Sequence, residues 1–181
     1  MSTVASHPIH VSNNNRWGLL KTIGTLGALA RDAGDAPRAF ELIAKSASLA
    51  RETAVPWWES GMLAEMAQLA LDGGRIDEGE NYAREALAVA NGIRDRAGRV
   101  FGVGLFARIA VERRQFKRAG RLWRAIEREN VGAPLGGWRR HRPRCEERIR
   151  EAADPEFERG LAEGQSMTLD DAVAFALLTG E

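Results

Sequence analysis

The chain of 181 residues has one cysteine, Cys145, so it can form no internal disulfide bond, and a cysteine-based zinc site is not expected. It has no run of 18 or more apolar residues, the length typical of a membrane-spanning helix. Residues 1–15 are polar and lack the apolar core of a signal peptide, so we expect a disordered lead-in there. β-Branched residues are sparse, which disfavours strands. Together these absences favour an all-α protein of the cytoplasm.

The chain has 26 Lys and Arg and 25 Asp and Glu, so neither sign of charge dominates. The distribution is nevertheless uneven. Residues 94–150 carry 17 basic and 6 acidic side chains, a net charge of +11, and the rest carries 9 and 19, a net charge of −10. The basic centre can steer an acidic partner or accept the acidic flanks of its own chain. We favour the intramolecular or solvated interpretation.

The most informative feature is a repeat with a period of 40 residues. Small residues recur at this period in two sets, at positions where two helices are expected to cross closely: Gly27, Ala67 and Ala107, then Ala39, Gly79 and Ala119. Turn-forming stretches keep the same register, at DAGD (32–35), DGGR (72–75) and RRQF (113–116). The pattern predicts three helical hairpins over about 17–53, 57–92 and 96–129.

The large–small–small pattern of these hairpins resembles the tetratricopeptide repeat over residues 16–130. The resemblance implies a right-handed α-solenoid of about three helical hairpins. The period is longer than the usual ~34 residues, and the aromatic and proline positions of the family are only partly kept, so the match is a divergent one. A generic stack of helical hairpins without homology is the alternative.

Residues 131–181 follow the repeat and are predicted to form helices that cap the open end of the stack. VGAPLGG (131–137) predicts a loop, and a helix follows from about Trp138 or Arg139 to Ala153, or from nearer His141 because Pro143 suits a first turn. Two further helix starts are predicted at Asp154-Pro155 and at Thr168, the second with a capping box completed by Asp171.

The stretch 122–178 is similar to the end of the helical region in large bacterial transcriptional regulators of the LuxR-type and AfsR-like ATPase classes. The similarity rests on RLWRAIE, GAPL and FERGLAEGQSMTLDDAVAFAL, with matches at Phe157, Gly164, Leu169, Asp170, Ala172 and Ala176. It implies a sensor or protein-docking platform in transcriptional regulation or signalling, either free-standing or part of a larger regulator. ATP hydrolysis and DNA binding are not expected, because there is no GxxxxGK[ST] loop and no helix-turn-helix segment.

Signals for catalysis are poor, because HExxH, CxxC and GxSxG patterns are all missing. His7 and His10 lie in the lead-in, His141 lies in an arginine run, and Cys145 is expected to be a buried helix residue. The glycines of GRVFGVG (98–104) are expected to permit close helix packing rather than to hold a phosphate. We therefore expect no enzymatic activity, no cofactor and no metal site.

The concave face of the predicted solenoid is expected to bind a protein, a peptide or an adjoining regulator domain, or a second copy of the chain. Candidate groove residues are the anchors Trp57 or Trp58 and the charged pair Arg99 and Arg108. Core packing of both tryptophans is the competing interpretation, and a small inducer in the groove is the alternative function. The arginine run WRRHRPR (138–144) is expected to be a solvated, partly paired helix start, with no membrane contact and with nucleic-acid contact disfavoured.

Overall fold

The computed structural model describes residues 7–129, 137–152 and 154–178, and every regular element within these ranges is helical. In this part of the chain, nine α-helices and one 3₁₀ turn (Gly164–Ser166) follow each other in the order α1 His7–Asp32, α2 Ala36–Glu52, α3 Pro56–Asp72, α4 Ile76–Gly92, α5 Arg96–Glu112, α6 Phe116–Glu129, α7 Trp138–Ala152, α8 Pro155–Glu163 and α9 Leu169–Leu177. None of these helices is both long enough and apolar enough to cross a membrane.

The starts of α2 to α6 are spaced by half the sequence repeat. Helices α2 to α6 begin at positions 36, 56, 76, 96 and 116, and α2 to α5 each contain 17 residues. Consecutive helices pack against each other. The predicted hairpins therefore correspond to α1–α2, α3–α4 and α5–α6.

All five turns between these helices end the preceding helix in the same way. The middle residue of each turn has a left-handed backbone, with positive φ at Gly34, Ala54, Gly74, Arg94 and Arg114. The next residue donates its N–H to the carbonyl five positions back, which is an alanine in every turn: Ala30, Ala50, Ala70, Ala90 and Ala110. This Schellman geometry satisfies carbonyls that the helix end would leave without a partner.

The six small residues predicted at helix crossings all lie in the core. A β-carbon at Gly27 would lie 2.6 Å from Cγ1 of Ile43, and one at Gly79 would lie 2.8 Å from Cδ2 of Leu71. The other four are fully buried alanines: Ala39, Ala67, Ala107 and Ala119. The repeat thus marks positions where the facing side chains leave no room for a larger residue.

The C-terminal helices pack back onto the hairpins. Helix α7 packs on α5, α8 packs on α6, and α9 contacts α4, α5 and α6. The start of α8 is capped by Asp154, and α9 begins with the predicted capping box, in which Asp171 N–H donates to Thr168 Oγ1 at 3.1 Å. Glycine permits a close crossing of α6 and α8, because their backbones meet at Gly120 and Gly160.

The structure differs from the sequence prediction at the N-terminus. Helix α1 begins at His7, so residues 7–15 are helical rather than a disordered lead-in, while residues 1–6 lie outside the described part of the chain. Extending an existing helix adds one hydrogen bond per residue without a new nucleation cost, so a polar stretch can continue it. The loop predicted at 131–137 also lies outside the described residues, except for Gly137.

Candidate binding site

Helix α7 docks through an apolar stripe with helical spacing. Trp138 is fully buried, with ring-centroid distances of 6.1 Å to Phe101 and 5.9 Å to Trp123. A β-carbon at Gly104 would collide with this indole, so glycine makes room for it. None of the four inward-facing side chains is more than 9% exposed: Trp138, His141, Cys145 and Ile149. The expected solvated helix start at 138–144 is therefore wrong on this face, because the tryptophan and the histidine enter the core.

Two arginines of α7 pair with carboxylates of α3 and α5 along the edge of the buried stripe. Arg144 Nε lies 3.1 Å from Asp72 Oδ1, and Arg148 Nε donates to Glu112 Oε1 at 3.0 Å. These arginines lie four residues apart, one turn of a helix, so they follow one edge of α7. The basic centre of the chain thus neutralises acidic side chains of its own fold.

Glu65 of α3 connects three helices. It accepts a hydrogen bond from Arg31 of α1, and its Oε1 lies 2.9 Å from Nε2 of His141. The imidazole of His141 stacks on Phe101, with a centroid distance of 5.0 Å and an interplanar angle of 14°. Burial acts to raise the pKa of Glu65, but the hydrogen bond from His141 and the charges of His141, Arg31 and Arg140 outweigh burial and lower it. Glu65 is therefore held as a carboxylate inside the fold.

Arg99 and Arg108 do not line a groove. The Arg108 side chain is only 3% exposed and donates to Asp72 at 2.7 Å. Arg99 is 12% exposed and pairs with Asp170, which ties α5 to the start of α9. Both arginines act as links between helices, so the groove role expected for them is corrected here.

Cys145 is buried beside these charged groups. Burial raises the pKa of its thiol to about 12, although the positive charge of Arg108 acts in the opposite direction. A thiol with this pKa is almost entirely protonated at neutral pH and is a poor nucleophile. The residue packs the α7 interface.

Trp57 and Trp58 have different environments, so the interpretation that both pack in the core is wrong for Trp57. The Trp58 indole N–H donates to Ser46 Oγ at 2.9 Å, whereas Trp57 is 51% exposed. With Trp17 they form a cluster with centroid distances of 5.5, 5.9 and 5.5 Å. Trp58 therefore joins α3 to α2, and Trp57 presents an aromatic face to solvent.

Both tryptophans line a cavity of about 560 Å³, which we call the tryptophan cavity. Its walls come from α1, α2, α3, α5 and the start of α7, and apolar lining groups include Ile43, Met62 and Phe101. Gly61 of α3 lies in the wall, and a β-carbon there would meet no heavy atom within 4 Å. The charged lining residues are Glu65, Asp95 and Arg140.

A second and more polar cavity, of about 790 Å³, lies on the other side of the α7 start. Arg140 lines both cavities. Across the described ranges, no cluster of three or more His, Cys, Asp or Glu side chains could hold a metal ion.

No protein-family model, curated protein or solved structure matches this chain. The resemblances to the tetratricopeptide repeat and to the bacterial regulators stay predictions.

Sequence reasoning missed most of the tryptophan cavity. It named Trp57 and Trp58, but not Gly61, Met62 or Phe101, which lie on α3 and α5. One usable signal was Gly61 itself, a glycine inside a helical pattern with no turn nearby. The ion pairs of α7 also had a signal in the sequence, because Arg144 and Arg148 lie four residues apart and can pair with carboxylates of the earlier helices.

Proposed function

We propose that this chain is a non-catalytic binding module and that its site is the tryptophan cavity, which takes a small, mainly apolar ligand. A cavity of about 560 Å³ falls within the size range of small-molecule sites, roughly 300–1,000 Å³. Such sites are lined mainly by apolar and aromatic groups with a few polar ones, as here. Because α7 already covers part of α5 and pairs with α3, a small ligand fits the remaining space better than a long peptide.

The observation that carries this proposal is Gly61. A glycine in a helix interior costs roughly 0.5–1 kcal/mol relative to alanine. Gly61 lies inside α3, no φ above zero requires glycine there, and a β-carbon would meet no heavy atom within 4 Å. Its consequence for the fold is an open cavity wall, and a binding function explains why that space is kept.

The test is a thermal-shift screen with small metabolites on the native chain and on Gly61→Met. A ligand of the cavity should raise the melting temperature of the native chain in a dose-dependent way. Gly61→Met should fold with equal or higher stability, because methionine favours a helix, and should lose the ligand response.

Gly18→Met is the matched control. Gly18 also lies inside a helix with no heavy atom within 4 Å of its β-carbon position, but it does not line the cavity. This variant should keep the full ligand response. A flat screen, or a response that survives in Gly61→Met, would count against the cavity as the site.

Self-association through α1 is a second candidate function, within the broader role of a protein-interaction scaffold. Three large apolar side chains of α1 are exposed: Leu19 by 51%, Leu26 by 48% and Leu29 by 59%. Exposed apolar groups along one helix suit contact with a second copy of the chain. Sedimentation velocity should then show dimers that the double variant Leu26→Gln, Leu29→Gln dissociates, and a monomer at high concentration would exclude this role.

The finer architecture and the cellular role belong to the same proposal. We propose a right-handed solenoid of tetratricopeptide type, acting in the cytoplasm as a sensor module in bacterial transcriptional regulation. The 20-residue helix spacing and the small residues at helix crossings support the first part. An encoded ATPase or DNA-binding domain in continuous reading frame would support the second part, and its absence would weaken it.

A further inference from the structure

We infer that the tryptophan cavity selects an apolar or aromatic anion, with its ring or chain in the cavity and its carboxylate on Arg140. This inference rests on the proposed function, because it names the ligand class of the same site. It follows from which polar groups of the cavity wall are already engaged within the fold and which are open to a ligand.

Both wall carboxylates are already engaged. Glu65 accepts from Arg31 and lies within hydrogen-bond distance of His141. Asp95 caps α5, where its two oxygens accept from the backbone N–H groups of Ala97 and Gly98 at 3.1 Å each. The Glu65 charge is thus offset by neighbouring cations and the Asp95 charge by the positive end of the α5 dipole. Each carboxylate thus already has partners within the fold, and a cationic ligand would have to share it with them.

The remaining anchors in the wall are mainly donors. The Arg140 side chain is 58% exposed, and its closest approach to a carboxylate of the described residues is 4.0 Å, to Glu65. Trp57 lines the cavity and is 51% exposed, and its indole N–H can only donate. Thr25 adds a hydroxyl, which can serve either role. A ligand group that meets these donors must be an acceptor.

Guanidinium geometry narrows the acceptor to a carboxylate or a similar oxyanion. Arginine offers parallel N–H groups that match two oxygens of one carboxylate, and such charge-assisted pairs are stronger than neutral hydrogen bonds. Arg140 also lines the neighbouring polar cavity. An anionic head group therefore lies on this guanidinium, while the apolar body lies among aromatic rings.

The experiment compares three probes that share one ring system: 2-naphthoate, 2-naphthalenemethanol and 2-naphthylmethylammonium. Their affinities are measured by calorimetry on the native chain, Arg140→Gln, Arg139→Gln and Gly61→Met. Naphthoate should bind the native chain about tenfold more tightly than the alcohol, and the ammonium should bind most weakly. Arg140→Gln should reduce the affinity for naphthoate to that for the alcohol and leave the alcohol unchanged within about twofold.

Arg139→Gln is the matched control, because Arg139 is exposed, does not line the cavity and removes the same unit of charge. It should keep the preference for naphthoate. Equal affinities for the three probes, a preference for the ammonium, or a naphthoate preference that survives Arg140→Gln would overturn the inference.

The proposed function would survive those three outcomes if Gly61→Met abolished binding of every probe. Failure of all three probes to bind the native chain would overturn the inference for aromatic anions, and a flat metabolite screen alongside it would overturn the proposed function as well. Melting temperatures within about 2 °C of the native value would show that each arginine variant is folded.

Discussion

At the scale of single residues, the five turns between α1 and α6 are equivalent in geometry but not in sequence. The middle residue is Gly34 or Gly74 in two turns, with φ of 82° and 74°, but Ala54, Arg94 or Arg114 in the others, with φ of 53°, 54° and 60°. A left-handed backbone costs a residue with a β-carbon roughly 1–2 kcal/mol. The turns without glycine therefore carry strain that the packing of the helices offsets.

Glycine at the strained turn positions should stabilise the protein. We expect Arg94→Gly and Arg114→Gly each to raise the free energy of unfolding by about 0.5–1 kcal/mol, because glycine adopts positive φ without a steric penalty. Urea denaturation measures the change as a shift in midpoint at constant slope. Gly74→Ala is the converse control and should lower stability by a similar amount. Unchanged or reduced stability in both arginine variants would show that the strain is absent.

At the scale of elements, α7 docks through one buried stripe and a set of polar contacts. The contact between His141 and Glu65 is buried on both sides, with 7% and 9% of the two side chains exposed. The folded protein holds the pKa of Glu65 below the ordinary value of 4.5, so it binds that proton less readily than the unfolded chain does. The contribution of this carboxylate to stability is complete above about pH 4.5 and is lost as pH falls through the lower folded-state value.

Glu65→Gln should lower the free energy of unfolding by about 2 kcal/mol at pH 7, because it leaves His141 without an anionic partner and removes one of the two carboxylates that Arg31 contacts. The gap to the native chain should narrow as pH falls below 4.5 and through the lower folded-state pKa, as protonation removes the same charge from the native glutamate. Thermal melts of both chains at a series of pH values from 7 downward measure this gap. Glu41→Gln is the control, since Glu41 is 65% exposed and pairs only within α2, so its gap should stay below about 1 kcal/mol. A gap for Glu65→Gln that does not vary with pH would contradict the assignment.

The hairpins could be predicted from the sequence, and the position of α7 could not, for one physical reason. Close crossing of neighbouring helices requires small residues at fixed offsets, so Gly27 and Gly79 mark it in the sequence. Docking of α7 depends on side chains far apart in the chain, such as the pair of His141 and Glu65, separated by 76 positions. The open cavity wall at Gly61 is harder still to predict, because the glycine itself is its only sign in the sequence.

At the scale of the whole molecule, the C-terminal helices complete the core that the hairpins begin. Arg84 donates to the carbonyl of Leu177 at 2.8 Å, and Arg118 donates to that of Phe175 at 2.8 Å, so both bind carbonyls at the end of α9. Cations are favourable at this end of a helix because of its dipole. With the buried Trp138 of α7, these contacts make the last three helices part of one folding unit with α4, α5 and α6.

Removal of residues 130–181 should therefore abolish cooperative unfolding of the remaining chain. Loss of one buried aromatic side chain alone costs about 3–5 kcal/mol, and a domain has only about 5–15 kcal/mol of stability in total. The shortened chain would expose the face of α5 that includes Phe101, so it should show no sharp thermal transition and should bind hydrophobic dyes.

A chain that ends at residue 153 retains α7 and should still melt cooperatively, at a lower temperature than the full chain, because it lacks only α8 and α9. If the chain ending at residue 129 melted as sharply as the full chain, the hairpins would be an independent domain. Helix α7 would then be a dispensable cover of the α5 face that includes Phe101.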